Sequence, residues 1–137
     1  MADERGPTTG LTPYITIKGG RCSEAADFYA RVFGGEVAAK VPADDGKRLL
    51  HCYVRINNGH LMMSDAFPEW NEGRESPEPA GFTLHLQVDD ADAAWKRALD
   101  AGCEVNMPLA DQFWGDRYGQ VRDPFGVRWS IASSPKG

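Results

Sequence analysis

The chain alternates between two hydrophobic periods. Tyr14-Ile15-Thr16-Ile17 alternates apolar and polar positions and is rich in β-formers, which predicts a strand ended by Gly19-Gly20. Ala25, Phe28, Tyr29, Val32 and Phe33 then recur at helical spacing. Ser23 stands where an N-cap belongs, with Glu24 and Asp27 in the first turns, and Gly34-Gly35 marks the stop. Period two returns over Val37 to Val41 and over Leu49 to Ile56, with Asp44-Asp45-Gly46 as a turn between them. Asn57-Asn58-Gly59 signals a hairpin, and His60 to Asp65 is its return strand. Phe82 to Val88 is another alternating strand. Asp89 or Asp90 caps a helix whose apolar face is Ala91, Ala94, Trp95, Ala98 and Leu99, and Ala101-Gly102 ends it. Val105 to Leu109, Gly119 to Arg122 and Val127 to Ile131 complete the strands, the last entered through the tight turn Asp123-Pro124-Phe125-Gly126.

The order strand, helix, Gly-containing stop, three strands occurs twice. Local sequence follows the same repeat: Phe28 matches Trp95, Val32 matches Leu99, and Glu36-Val37 matches Glu104-Val105 after a one-residue gap at Cys103. Two amphipathic helices ending in Gly look alike without common descent. The shared Glu-Val and the equal strand counts favour a true duplication. The reading predicts an N-terminal tail over 1–11, a first βαβββ module over 12–66, a linker over 67–79 and a second module over 80–133. The tail is polar and expected to be flexible. The linker holds Pro68, Pro77 and Pro79, and its length suggests a task. Phe67 and Trp70 at its start are candidates for a lid. Each module has a helix on one sheet face and leaves the other open, so two modules together make a concave trough suited to a small molecule.

Composition narrows the partners. A chain of 137 residues with formal net charge −5 has no overall attraction for nucleic acid or an anionic membrane. No apolar run approaches the roughly 20 residues of a membrane span. The polar N-terminus lacks the apolar stretch of a signal peptide, so the expected location is cytoplasmic. Cys22, Cys52 and Cys103 are dispersed and odd in number, which reads as free thiols rather than a disulfide framework or zinc knuckle. Nucleophile elbow, P-loop and dinucleotide fingerprint are absent.

Pro13-Tyr14-Ile15, Ala25-Ala26-Asp27-Phe28-Tyr29, Val32-Phe33-Gly34-Gly35, Leu61-Met62-Met63-Ser64-Asp65, Gln87-Val88-Asp89-Asp90, Trp114-Gly115-Asp116-Arg117-Tyr118-Gly119 and Asp123-Pro124-Phe125-Gly126 with Trp129 follow in order. In this combination the chain resembles the vicinal-oxygen-chelate (glyoxalase/bleomycin resistance/dioxygenase) superfamily over residues 12 to 133. Within it, the chain is similar to the PhnB-like branch. The resemblance implies an α+β fold in which two βαβββ modules form a curved mixed sheet around a cleft, pairing within one chain or across two. It also implies a homodimer.

Metal-dependent members carry His, Gln or Glu at one position on each of four strands. Counting from shared landmarks places those positions at Tyr14, Thr83, Ser130 and near Met63, with Met62 or Ser64 as the neighbours. None of these is an ordinary ligand for zinc, nickel, iron or manganese. The expectation is therefore a site with no metal and no cofactor. A rearranged site built from His51, His85 and Asp65 is the alternative. Val127 stands after the Asp-Pro-Phe-Gly turn, where the branch often has His.

On strand alternation His85 shares a face with Thr83 and Gln87 and projects into the trough. It is either a polar anchor or general base there, or a hydrogen-bonded histidine at the sheet edge. His60 is expected to be exposed, while His51 can face either way. The resemblance places Trp114 to Tyr118 at the mouth of the cleft. Trp114 then walls it and Arg117 meets an anionic or carbonyl group; alternatively Arg117 pairs with Asp116 or Asp123 and Trp114 covers the sheet edge. Of the Met62-Met63 pair, only one faces the trough, and Trp129 packs under a helix. The candidate ligand-binding residues are Tyr14, Thr83, His85, Gln87, Trp114, Arg117 and Ser130. Two functions compete: a non-metal small-molecule binder of the bleomycin-resistance kind, and a glyoxalase-like lyase, isomerase or dioxygenase with a non-standard metal site. A third reading is a structural domain whose cleft is filled by its own side chains.

Overall fold

The computed structural model describes residues 5–135. Eight strands and two helices follow in the order β1 (Tyr14–Ile17), α1 (Cys22–Phe33), β2 (Gly35–Pro42), β3 (Leu49–Ile56), β4 (Gly59–Asp65), β5 (Leu84–Gln87), α2 (Ala91–Asp100), β6 (Glu104–Asp111), β7 (Arg117–Arg122) and β8 (Arg128–Ser133). They form an α+β fold of two four-stranded mixed sheets, ordered β1-β4-β3-β2 and β5-β8-β7-β6. The chain clusters into two compact units, residues 1–78 and 79–137.

The duplication extends to register. β1 runs parallel to β4, as β5 does to β8, and the remaining pairs are antiparallel. Glu36 lies opposite Arg55 and Glu104 opposite Arg122. In both edge strands the pairing slips straight after the Glu-Val step, between Val37 and Ala39 and between Val105 and Met107. A bulge bends an edge strand and re-aims the side chains beyond it. The same bulge at the same repeat position carries the duplication beyond what helix pattern alone supports.

The first unit has the heavier core. α1 buries Phe28, Tyr29, Val32 and Phe33 against Ile15, Ile17, Cys52, Val54 and Met63. α2 buries only Ala91, Ala94 and Ala98, with Trp95 and Leu99 half-buried. Gly34 closes α1 in the left-handed region at φ 77°, and its amide bonds the Ala30 carbonyl. Gly35 must lack a side chain, because a Cβ there would stand 1.9 Å from the Arg55 carbonyl oxygen.

Two buried aspartates organise the units. Asp65, at the end of β4, accepts from the Cys22 amide at 2.9 Å and the Leu49 amide at 2.6 Å. It thus supplies the cap expected of Ser23. α1 begins at Cys22, two residues earlier than a Ser23 cap requires, and Arg21 at its N-cap makes no side-chain cap bond. A carboxylate from a strand distant in sequence took the role of the local hydroxyl. In the second unit Asp90 caps α2 itself, accepting from Ala93. Asp123 accepts from the Phe125 and Val127 amides at 2.8 and 3.0 Å and from the Trp129 indole at 2.9 Å. That bond fixes the tight turn and holds Trp129 on the helix side, as its alternation predicted.

Candidate functional site

In each sheet, alternate residues face away from the helix. On the second sheet β5 presents His85 and Gln87, and β8 presents Ser130 and Ala132 directly opposite them. β7 continues the face, because Gln120 lies opposite Ser130 and Tyr118 opposite Ala132. Thr83, one step before β5, falls on the same side by alternation.

His85 is the centre of this face. Its Nδ1 is 2.6 Å from Ser130 Oγ and its Nε2 is 2.7 Å from Gln87 Oε1. The Gln87 amide nitrogen donates to Ser134 Oγ at 3.1 Å, which leaves the amide oxygen as acceptor. Nε2 therefore donates to Gln87, and Nδ1 shares the other bond with the Ser130 hydroxyl. The Tyr118 ring stacks near His85 at 6.1 Å and 18°, and its hydroxyl accepts from Gln120 Nε2 at 3.0 Å. Trp114 meets Tyr118 edge to face at 5.6 Å. The outcome is an aromatic wall beside a neutral hydrogen-bonding line. His85, Gln87, Tyr118, Gln120 and Ser130 carry no fixed charge.

Arg117 is not among them. The alternation that puts Tyr118 and Gln120 on the open face turns Arg117 to the helix side. There its Nε lies 3.1 Å from both carboxylate oxygens of Asp92 and its Nη1 3.2 Å from Asp111. Asp92 and then Asp111 raise its pKa further above the ordinary guanidinium value. These partners, rather than Asp116 or Asp123, tie the β6–β7 hairpin to the start of α2. β7 begins at Arg117, two residues before its expected start, so Arg117 and Tyr118 read as loop and were given no face. Tyr118 escaped the sequence reading for the same reason, while Gln120, inside the expected strand, was assigned no face. Period two counted back from buried Val121 through Gly119 would have found them.

On the first sheet, Tyr14, Thr16, Met62 and Ser64 share the open face, and Ile15, Ile17, Met63 and Asp65 the helix side. The fourth family ligand position therefore falls on Met62 or Ser64, since Met63 is fully buried. Ser64 stands opposite Thr16 as Ser130 stands opposite His85. His51 Nδ1 is 2.9 Å from the Tyr14 hydroxyl, and His60 Nδ1 is hydrogen-bonded to the buried Tyr53 hydroxyl. Burial raises the Tyr14 pKa, partly opposed by a hydrogen bond with Ser64. Asp65 lies on the face opposite His51 and is committed to two backbone amides, so the alternative ligand set of His51, His85 and Asp65 is not assembled. Among the described residues no group of three or more His, Cys, Asp or Glu is placed to hold an ion. On the first sheet those positions offer hydroxyls and a thioether, and on the second hydroxyls beside a histidine whose two nitrogens are already engaged; neither is a donor set that fits the family's metal.

Other candidates resolve into structure. Phe67 stacks on Trp70 at 4.3 Å, and the Arg48 guanidinium lies 4.3 Å over Phe67 while gripping Glu69 with both terminal nitrogens. The start of the linker is thereby fastened to the β2–β3 connection. All three cysteines are buried, and burial, aided by Asp123, pushes the Cys103 thiol up to about 12, far from a reactive thiolate.

The model of the Glyoxalase/Bleomycin resistance protein/Dioxygenase superfamily matches residues 12–131. The chain belongs to this superfamily. Its sequence is 42% identical over 125 residues to the uncharacterized protein Rv0887c of Mycobacterium tuberculosis, covering 88% of this chain and 72% of that one. Protein PA1353 of Pseudomonas aeruginosa superposes with a TM-score of 0.72 at 26% identity, covering 93% of this chain and 100% of the other. The PhnB protein of Bacillus cereus shares the fold at a TM-score of 0.70 and 17% identity, over 92% and 100% of the two chains. A membership that fits the duplicated βαβββ order leaves the chemistry to the site, since this fold serves many reactions. No helix among the described residues is long and apolar enough to cross a membrane.

Proposed function

We propose that this protein binds a planar, uncharged small molecule on the open face of its second sheet, without a resident metal. The observation that carries the reading is the engagement of both His85 nitrogens, with Ser130 and Gln87, beside the Tyr118 and Trp114 rings. An imidazole held on both sides is a fixed surface, and a ring stacked near it extends that surface. Stacking against such rings contributes roughly 0.5–1.5 kcal/mol per pair beyond area burial. Ser130, Gln87 and Gln120 supply donors and acceptors that fix orientation. Trp114, at the β6–β7 hairpin, closes one side. Arg117 takes no part, and the absence of a fixed charge on the named side chains argues against an ionic ligand. Thr83 extends the same face, and Tyr14 belongs to the corresponding face of the first sheet. A homodimer completes the reading, and light scattering should return the mass of two chains.

The test is a thermal-shift screen of uncharged heteroaromatic compounds, followed by titration of any hit into Tyr118→Ala and Trp114→Ala. A ligand selective for the folded state raises the melting temperature. Loss of one stacking partner should weaken it about tenfold, equivalent to about 1.4 kcal/mol. Hits that bind both variants unchanged would move the site elsewhere. Metal analysis separates the competing lyase, isomerase or dioxygenase reading. A stoichiometric divalent ion in protein purified without chelator, together with turnover that chelation abolishes, would replace the binder with an enzyme.

A further inference from the structure

Residues 5 to 7 of the polar N-terminal stretch lie against the open face of the first sheet. The Arg5 carbonyl oxygen sits 2.6 Å from His51 Nε2. A carbonyl only accepts, so Nε2 carries the proton and Nδ1 accepts from the Tyr14 hydroxyl on its other side. Tyr14 thus holds the imidazole with its N–H aimed at an acceptor. Gly6 comes next and packs on Met62 so closely that a Cβ there would meet the sulfur at 2.7 Å. Its φ of 146° is one that residues with a side chain rarely adopt. Gly6 and Pro7 are half-buried. Beside it, Arg5 and Ala38 to Pro42 of β2 line a hollow of about 300 Å³.

We propose that this face is a binding site for an amide carbonyl followed by a slender, glycine-like unit, and that residues 5 to 7 occupy it as a tethered ligand. The donor is fixed, the thioether and phenol supply apolar contact, and a side chain at Gly6 would have to displace the Met62 thioether. Ordering a short polar stretch costs at least as much as one hydrogen bond and one methionine contact return. The segment therefore exchanges on and off, and a free molecule with the same carbonyl geometry competes with it. The tether presents the segment at an effective concentration on the order of millimolar, so a competitor needs comparable or better affinity. The site is built from the first sheet and the N-terminal stretch alone, and it holds or fails independently of the His85 face.

The experiment follows the methyl resonances of Met62 and Met63 and the His51 ring nitrogens by NMR. Three chains are compared: the full chain, Gly6→Val in the full chain, and a chain lacking residues 1–8. Release of the segment should move the Met62 methyl and the His51 Nε2 signals in the same direction in both altered chains. Met63, buried on the other face, should stay in place and report an intact fold. A synthetic peptide of residues 1–10, added to the shortened chain at up to about 10 mM, should return both signals toward their full-chain positions. The same peptide should do nothing to the shortened chain carrying His51→Gln. Unmoved Met62 and His51 signals on release would overturn the proposal, and so would a peptide that fails to restore them.

Discussion

The two halves share one plan and spend it differently. In the first, a bulky helix face fills the core, a remote carboxylate caps the helix, and chain from outside the module lies on the open sheet face. In the second, the helix packs through alanines, an adjacent aspartate caps it, and the open face carries a neutral hydrogen-bonded line beside two aromatic rings. After duplication, one copy can supply most of the packing energy while the other is freer to vary its exposed face. The open faces diverge as well, with Thr16 against His85 and Tyr14 against Thr83. Ser64 and Ser130 keep the same residue in different surroundings.

The strongest challenge to this contrast is the core itself. Tyr29→Ala, which empties a fully buried site in α1, should cost about 3–5 kcal/mol. Trp95→Ala in α2 should cost less, about 1–3 kcal/mol, because that ring is only half-buried. Equal losses in urea melts would erase the distinction between a packing half and a binding half.

The two aspartates sharpen the same contrast. Asp65→Ala strips the acceptor from two buried amides and should cost about 2–4 kcal/mol, with faster hydrogen exchange at Cys22 and Leu49. Asp123→Ala should cost a similar amount but confine its exchange signature to Phe125 and Val127, since its backbone bonds stay within one turn. Loss of protection in α1 on changing Asp123 would contradict the separate roles.

Arg117→Ala should leave stability almost unchanged in urea melts, as its ion pairs are largely solvated. It should leave ligand affinity on the second face unaltered, and a large affinity loss would restore Arg117 to the site.

The smallest effect concerns the β2–β3 connection. Backbone bonds from Arg48 and then Lys47, reinforced by the Arg48 guanidinium, hold the Asp45 carboxyl down to about 2. A carboxyl depressed on folding stabilises above its unfolded value near 3.9, and that contribution fades as pH falls toward its folded value. Between about pH 4 and about 2, therefore, the Lys47 and Arg48 amide signals should shift together with the Asp45 carboxyl. Titration of Asp45 near 4 would remove the proposed grip.

Period and punctuation along the chain determined the element order, the duplication, the placement of Trp129 and His85, and the exposure of His60. These are local properties: burying one face of a strand or helix dictates which residues must be apolar and how far apart they stand. Only the tertiary structure decided what reaches across the fold. It put Asp65 on the amide of Cys22 forty-three positions away, started β7 at Arg117 and so turned that side chain from the open face, and laid Arg5 on His51. Each rests on a partner distant in sequence or on where a strand begins, and element ends are the part of the pattern that local period fixes least.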